Sequence, residues 1–219
     1  GASLLSRIEG LPELTAAAMA ALTGLPDRPV GALQLDTALD QLAGVLAARG
    51  RFDEAEALSR EAVAGMRRVL GDRHPDTLVG IQSLGRLLSR QQRYDEALEV
   101  LTEAAAGAEA SLGSADPRGF FIGREIAVAL QGLGRLEEAE RDCLEVLELR
   151  RRILRDGHPD IARSLHLLGQ IHMDKGEYAA AAPLIEEAVA IRKQALPEGH
   201  VQITSAENDL EICRQALAG

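Results

Sequence analysis

The chain has 219 residues, of which 46% are hydrophobic and 26% charged, a balance typical of a folded domain and not of a disordered chain. Its net charge of −10 opposes binding to phosphate backbones, so we expect no nucleic-acid partner. No apolar run approaches the roughly 20 residues that cross a bilayer, and no signal peptide is visible. We therefore expect a cytoplasmic protein that does not associate with membranes.

Aromatic residues make up only 2% of the chain, while Ala and Leu dominate, which favours closely packed helices over a β-sandwich. Several kinds of residue recur at a spacing of 42: the large residues Phe52, Tyr94, Leu136 and Tyr178; the alanines Ala55, Ala97, Ala139 and Ala181; and the leucines Leu70, Leu112, Leu154 and Leu196. A period of this length indicates a stack of repeats, each of which buries its apolar face only against its neighbours.

In chain order, the pattern predicts one repeat domain over residues 1–219. It opens with a partial repeat at 1–31, in which residues 9–24 resemble a lone second helix. The chain begins Gly-Ala-Ser without Met, and together with the partial repeat this favours a fragment of a longer protein. Four repeats follow, at 32–74, 75–116, 117–158 and 159–200. Residues 201–219 are predicted to form a capping helix, because Glu207 and Glu211 occupy slots that are apolar or small elsewhere.

Each repeat is predicted to be a helix–turn–helix unit. In the second repeat, Leu78, Ile81 and Leu84 recur at helical steps, and Tyr94 opens another helix with acids in its first turn. The first helices are predicted at 34–48, 76–90, 118–132 and 160–174, and the second helices at 52–70, 94–112, 136–155 and 178–196. Small residues at one shared slot predict close packing of each pair: Ala43, Gly85, Ala127 and Gly169.

These slots resemble the tetratricopeptide repeat family. The residues that carry the resemblance in the first repeat are Leu39, Leu42-Ala43, Leu46, Gly50-Arg51-Phe52, Ala55 and Ala62. The 42-residue length and the linker Gly71-Asp72-Arg73-His74-Pro75-Asp76 resemble the kinesin-light-chain type. The resemblance covers about residues 32–200. It implies an all-α right-handed superhelical solenoid of helix–turn–helix repeats, with the first helices lining a concave groove that binds a protein or peptide.

The resemblance also implies which positions face a ligand. Carried onto this chain, the peptide-binding residues are Gln82, Arg86, Arg90, Phe121, Arg124, Val128, Gln131, Arg163, His166 and Gln170. This stripe contains four arginines on an acidic protein, and a guanidinium group can grip a carboxylate with two hydrogen bonds. The stripe therefore predicts an acidic peptide partner. The alternative interpretation is that these arginines pair with acids of their own or adjacent helices, such as Glu125 or Asp174.

The predicted function is a non-catalytic scaffold for protein–protein interaction, with no catalytic residues, metal or cofactor. No phosphate-binding loop, nucleophile elbow or His-Glu-x-x-His motif is present in the sequence. Two alternatives remain open at this point. One alternative is a regulatory or sensor arm of a larger bacterial signalling enzyme, such as a kinase or nucleotide-switch ATPase. The other is a self-association module that forms a homodimer.

Overall fold

The computed structural model describes the backbone of residues 29–112 and 117–218, and the side chains of residues 39–108 and 122–218. The predicted half-repeat at 9–24 lies outside these ranges. Within them the secondary structure is helical, which confirms the predicted all-α class. The helices are α1 (Pro29–Ala48), α2 (Phe52–Leu70), α3 (Pro75–Arg90), α4 (Tyr94–Leu112), α5 (Pro117–Gly132), α6 (Leu136–Ile153), α7 (Pro159–Asp174), α8 (Tyr178–Ala195) and α9 (Val201–Ala218).

The helix bounds follow the 42-residue pattern closely, with two kinds of difference. Helix α1 begins at Pro29 and not at residue 34, and α3, α5 and α7 each begin one residue early, also at a proline, whose fixed φ is compatible with a first helical turn. Helices α6 and α8 end slightly before their predicted bounds, because Leu154 and Leu196 have extended backbone angles (φ −98°, ψ 152° and φ −124°, ψ 153°). The difference is therefore confined to helix ends.

The chain divides into two compact units. The N-terminal unit extends to Ser111 and contains α1, α2, α3 and nearly all of α4, and the C-terminal unit begins at Leu112 and contains α5 to α9. In the N-terminal unit, α1 packs against both α2 and α3. In the C-terminal unit, α7 packs against its hairpin partner α8, against α6, and against the neighbouring first helices α5 and α9. In each unit, consecutive first helices therefore lie side by side.

The small slot holds the paired helices close together in both units. A Cβ atom added to Gly85 on α3 would lie 2.5 Å from Cγ of Leu101 on α4. A Cβ added to Gly169 on α7 would likewise collide with Ile185 on α8. Ala43 and Ala127, at the same slot, are buried at 3% and 0% exposure. The packing role that the sequence predicts for this slot is confirmed.

Turns and linkers repeat with the same period. The turn glycines Gly50, Gly134 and Gly176 have positive φ angles of 71° to 78°, and Gln92 holds this position in the second repeat with φ 61°. In the linkers, the imidazole Nδ1 of His74 accepts a hydrogen bond from the backbone N–H of Asp76 at 3.2 Å, and His158 caps α7 in the same way at 3.1 Å. Histidine thus acts as an N-cap, which the sequence analysis did not foresee.

Candidate functional site

An open cleft of about 350 Å³ lies on the N-terminal unit, between the first helices α1 and α3 and above α2. We call it the α1–α3 cleft, and its lining residues are Asp40, Gln41, Ala43, Gly44, Ala47, Ser59, Ser83, Arg86, Leu87 and Arg90. Two of the predicted peptide-binding residues, Arg86 and Arg90, are therefore in one cleft. A third, Gln82, is half-buried on α3 and is not part of the lining.

The two arginines of the α1–α3 cleft are both exposed but differ in their contacts. Arg90 is held in place, because its Nη2 donates to the carbonyl oxygen of Ala47 at 3.2 Å and its guanidinium lies 5.3 Å from the centre of the Phe52 ring. This distance is within the range of a cation–π interaction. Arg86 makes no hydrogen bond or ion pair at contact distance with the described side chains, although its charge acts on Asp40. Its guanidinium is thus available to a ligand.

Asp40 is the acid of the α1–α3 cleft. Its Oδ2 accepts a hydrogen bond from the hydroxyl of Ser83 at 3.3 Å, across the junction of α1 and α3. Burial raises the pKa of the Asp40 carboxyl, and the Ser83 hydrogen bond and the charge of Arg86 oppose this shift without cancelling it. The cleft therefore combines exposed positive charge with a poorly solvated carboxyl group.

In the C-terminal unit, the polar residues among those predicted to bind peptide are bonded to acids of the same unit. His166 Nε2 and Gln170 Nε2 lie 2.8 Å and 3.0 Å from the same oxygen, Oδ2 of Asp209 on α9. Gln131 Nε2 donates to Oδ2 of Asp174 on the neighbouring first helix at 2.7 Å. These contacts join α5 to α7 and α7 to α9, so the side chains serve the packing of consecutive first helices.

The two arginines of the C-terminal stripe also have acidic partners. Arg124 Nη1 lies 2.7 Å from Oε1 of the buried Glu125, and Arg163 Nη1 donates to Oδ1 of Asp160 at 3.3 Å. The alternative interpretation of the sequence, pairing with a neighbouring acid, thus describes Arg124 correctly. Of the remaining predicted residues, Val128 is half-buried, and Phe121 belongs to α5 with its side chain outside the described residues.

Two buried arginines, 42 positions apart, add positive charge to the interior of the C-terminal unit. Arg150, only 1% exposed, donates to Oγ of Ser164 at 2.6 Å, and Arg192 donates to the carbonyl oxygen of Gln202 at 2.8 Å. Burial, first, and the nearby charges of Arg124 and Arg163 lower the pKa of both guanidinium groups, that of Arg150 to about 10. Acids such as Asp160 and Asp209 oppose this accumulation of positive charge.

The imidazole of His166 is affected by the same burial and positive charge. Burial, first, and the charge of Arg192, second, lower the pKa of its imidazole, although the hydrogen bond to Asp209 acts in the opposite direction. His166 is only 8% exposed. The ring is thus a packing element between α7 and α9 and not an exposed binding group.

The comparison with protein families matches the tetratricopeptide repeat over residues 34–110 and 123–194. The chain belongs to this family. Its membership confirms the resemblance that the repeat slots indicate, and it identifies the fold as an all-α helical repeat solenoid. Tetratricopeptide repeats form scaffolds for protein–protein interaction, and the fold is typically non-catalytic.

Solved structures of similar fold include a kinesin light chain candidate of Podosopora anserina with nearly identical tetratricopeptide-like repeats. It is 26% identical, with 88% of this chain and 90% of that chain covered and a TM-score of 0.70. BtubC (BKLC) of P. vanneervenii is 23% identical, with 98% and 84% covered and a TM-score of 0.78. MamA of AMB-1 is 20% identical, with 87% and 95% covered and a TM-score of 0.53. The last two show likeness of fold alone. A comparison with curated protein sequences gave no match.

None of the helices in residues 29–112 and 117–218 is long and apolar enough to cross a membrane. Among the described residues, no group of three His, Cys, Asp or Glu side chains lies in an arrangement that would hold a metal ion.

Proposed function

We propose that this interaction scaffold binds an acidic peptide segment of a partner protein, and that the α1–α3 cleft is its principal contact. The observation that carries the proposal is the exposed Arg86 guanidinium in an open cleft, without a bonded acid among the described side chains. A charge-assisted hydrogen bond to a carboxylate contributes about 1.5–3 kcal/mol, more than a neutral hydrogen bond.

Arg90 supports Arg86 in this role. Because its hydrogen bond to Ala47 and its contact with Phe52 already orient the guanidinium, little side-chain freedom is lost when a ligand binds. The net charge of −10 on the whole chain disfavours other acidic surfaces and leaves a local basic site as the place for an acidic segment. The other residues predicted for the groove remain predictions. Among them, Gln131, His166 and Gln170 are already bonded to acids of a neighbouring first helix.

The test uses two fluorescein-labelled decapeptides that differ only in carrying glutamate or glutamine at the same alternating positions. Fluorescence anisotropy of each peptide is measured against the wild-type chain, Arg86→Glu and the control Arg155→Glu, which reverses an exposed charge in a linker. We expect the wild type and Arg155→Glu to prefer the glutamate peptide, and Arg86→Glu to lose that preference. Equal binding of both peptides by the wild type would refute the proposal.

Charge reversal at Arg124, another predicted peptide-binding residue, would not test peptide binding. Arg124→Glu would place a second carboxylate beside Glu125, which is buried at 4% exposure and already uses Arg124 as its partner. A buried charge that loses its counterion destabilises a fold by about 3–5 kcal/mol. Any loss of peptide binding in that variant would therefore reflect unfolding as much as the loss of a contact.

A further inference from the structure

The α1–α3 cleft contains two buried oxygen atoms that lack a hydrogen-bond partner within the described part of the chain. One is Oδ1 of Asp40, whose other oxygen is bonded to Ser83. The second is Oγ of Ser59, a residue of α2 that is only 1% exposed and lines the cleft from below. Because buried polar atoms in proteins nearly always have partners, these two oxygen atoms are places where a bound ligand can supply a hydrogen-bond donor.

The acceptor and the free guanidinium lie next to each other. Ser83 and Arg86 are three residues apart on α3, so they lie on one face of the helix about one turn, or ~5 Å, apart. Asp40 contacts Ser83, and the charge of Arg86 acts on Asp40. The cleft thus presents a carboxylate acceptor and a guanidinium donor near each other, as two-point binding of a glutamate residue through its main-chain N–H and its side-chain carboxylate requires.

The cleft is open where a peptide main chain would approach. Gly44 is one turn beyond Asp40 on α1, and a Cβ atom added there would have no neighbour within 4 Å. Gly44 also belongs to the cleft lining. A peptide main chain can therefore lie close to α1 beside Asp40, and a larger side chain at residue 44 would occupy this space.

We propose that the α1–α3 cleft binds one acidic residue of the partner peptide at two points, with its side-chain carboxylate on Arg86 and its own main-chain N–H on Asp40. This inference rests on the proposed function. It adds a role for Asp40, which a groove that binds acidic peptides through its arginines alone would not require. A purely basic ligand does not fit, because Arg86 and Arg90 would repel it. A purely anionic ligand would leave Oδ1 of Asp40 without a donor.

The experiment isolates the main-chain N–H by changing the peptide and not the protein. The probe is the capped pentapeptide acetyl-Ala-Ala-Glu-Ala-Ala-amide, compared with an ester analogue in which oxygen replaces the N–H of the glutamate. Both are titrated at millimolar concentration against the full chain and its Asp40→Ala variant, with dissociation constants taken from NMR shifts. We expect the wild type to bind the ester about tenfold more weakly than the amide peptide. The Asp40→Ala variant should bind the ester and the amide peptide equally well.

An ester penalty that is absent in the wild type, or that persists in Asp40→Ala, would overturn the inference while leaving the acidic-peptide proposal intact. A glutamine pentapeptide that binds as tightly as the glutamate pentapeptide would refute that proposal and the inference with it. As a control, an ester at the final alanine should leave the affinity unchanged. An equal loss there would show that the ester acts on the peptide in general and would also overturn the inference.

A steric variant provides an independent check on the location. Gly44→Leu fills the cleft next to Asp40, and because leucine favours helices more than glycine, α1 is stabilised by the change. We expect Gly44→Leu to abolish binding of the glutamate pentapeptide, while the exposed Ala48→Leu on the same helix retains it. Binding by Gly44→Leu at wild-type affinity would place the peptide elsewhere and overturn the inference.

Discussion

The two units differ in how the predicted groove residues of their first helices are bonded. In the N-terminal unit, Arg86 and Arg90 line an open cleft in which Oδ1 of Asp40 has no partner among the described residues. In the C-terminal unit, His166 and Gln170 share the carboxylate of Asp209. If the proposed function is correct, a ligand-facing position in a helical repeat predicts a binding residue only where the next first helix does not already supply its partner.

The largest expected effect is on affinity for the glutamate decapeptide, and it differs between two exposed arginines of the predicted stripe, one in each unit. Arg86→Glu should weaken binding of the glutamate decapeptide by about 10- to 100-fold, since a charge-assisted hydrogen bond is replaced by repulsion. Arg163→Glu, whose native partner is Asp160, should change it by no more than about threefold. Anisotropy titrations measure both. Similar losses of affinity in the two variants would contradict the proposal that the peptide binds the N-terminal unit and not the C-terminal one.

The second effect concerns stability and has opposite signs in the two units. Asp209→Ala removes the acceptor of His166 and Gln170 and should lower the free energy of unfolding by about 1–3 kcal/mol. Asp40→Asn should raise it at neutral pH, because burial raises the pKa of Asp40 and the ionised form is therefore unfavourable in the folded chain. Urea denaturation followed by circular dichroism gives both values. Destabilisation by Asp40→Asn would show that this carboxylate is structural.

A third effect should be shared by both units, because it depends only on turn geometry. Gln92 adopts a positive φ at the position where the other turns have glycine, so Gln92→Gly should stabilise the chain by about 1 kcal/mol. Gly134→Gln, the reverse change in the C-terminal unit, should destabilise it by a similar amount. Thermal melts of both single variants and of the double variant test this, and a double variant far from wild-type stability would contradict it.

The smallest effect is a pH dependence that again differs in sign between the units. Burial and Arg192 lower the pKa of His166, so the unfolded chain binds a proton more readily and stability is lost as pH falls below about 6.5. The raised pKa of Asp40 acts oppositely: its contribution is largest at low pH and is lost as pH rises through that pKa. Unfolding free energies across pH, compared with His166→Gln and Asp40→Asn, measure each contribution. If the unfolding free energy of a variant depends on pH in the same way as that of the wild type, the substituted residue is not the source of the pH dependence.

The sequence predicted the helices well because each one is encoded by local signals. Apolar residues at helical steps, turn glycines and linker prolines place every described helix, and the small slot at Gly85 and Gly169 identifies the helix pairs. Some helix ends differ from their predicted bounds, because extended residues such as Leu154 end a helix without a glycine or proline. Local signals therefore account for the elements but not for all of their boundaries.

The candidate site was predicted only in part, because hydrogen bonds between neighbouring first helices are not local. Partners such as Asp40 and Ser83, or His166 and Asp209, are 43 residues apart, one more than the repeat period. Sequence reasoning that examined this spacing would have found Asp209. The buried Arg150 and Arg192 gave no such signal, since arginine in a last helical turn is ordinarily explained by the helix dipole, and Met66 holds their slot in the first repeat.

The most direct test of the difference between the units is an NMR shift map of the isotope-labelled full chain titrated with the glutamate decapeptide. We expect the largest amide shifts on α1 and α3, at Gly44, Ala47, Arg86 and Arg90, and much smaller shifts at His166 and Gln170 on α7. Shifts that are largest on α7, with α1 and α3 unaffected, would contradict the account and place the acidic-peptide site in the C-terminal unit.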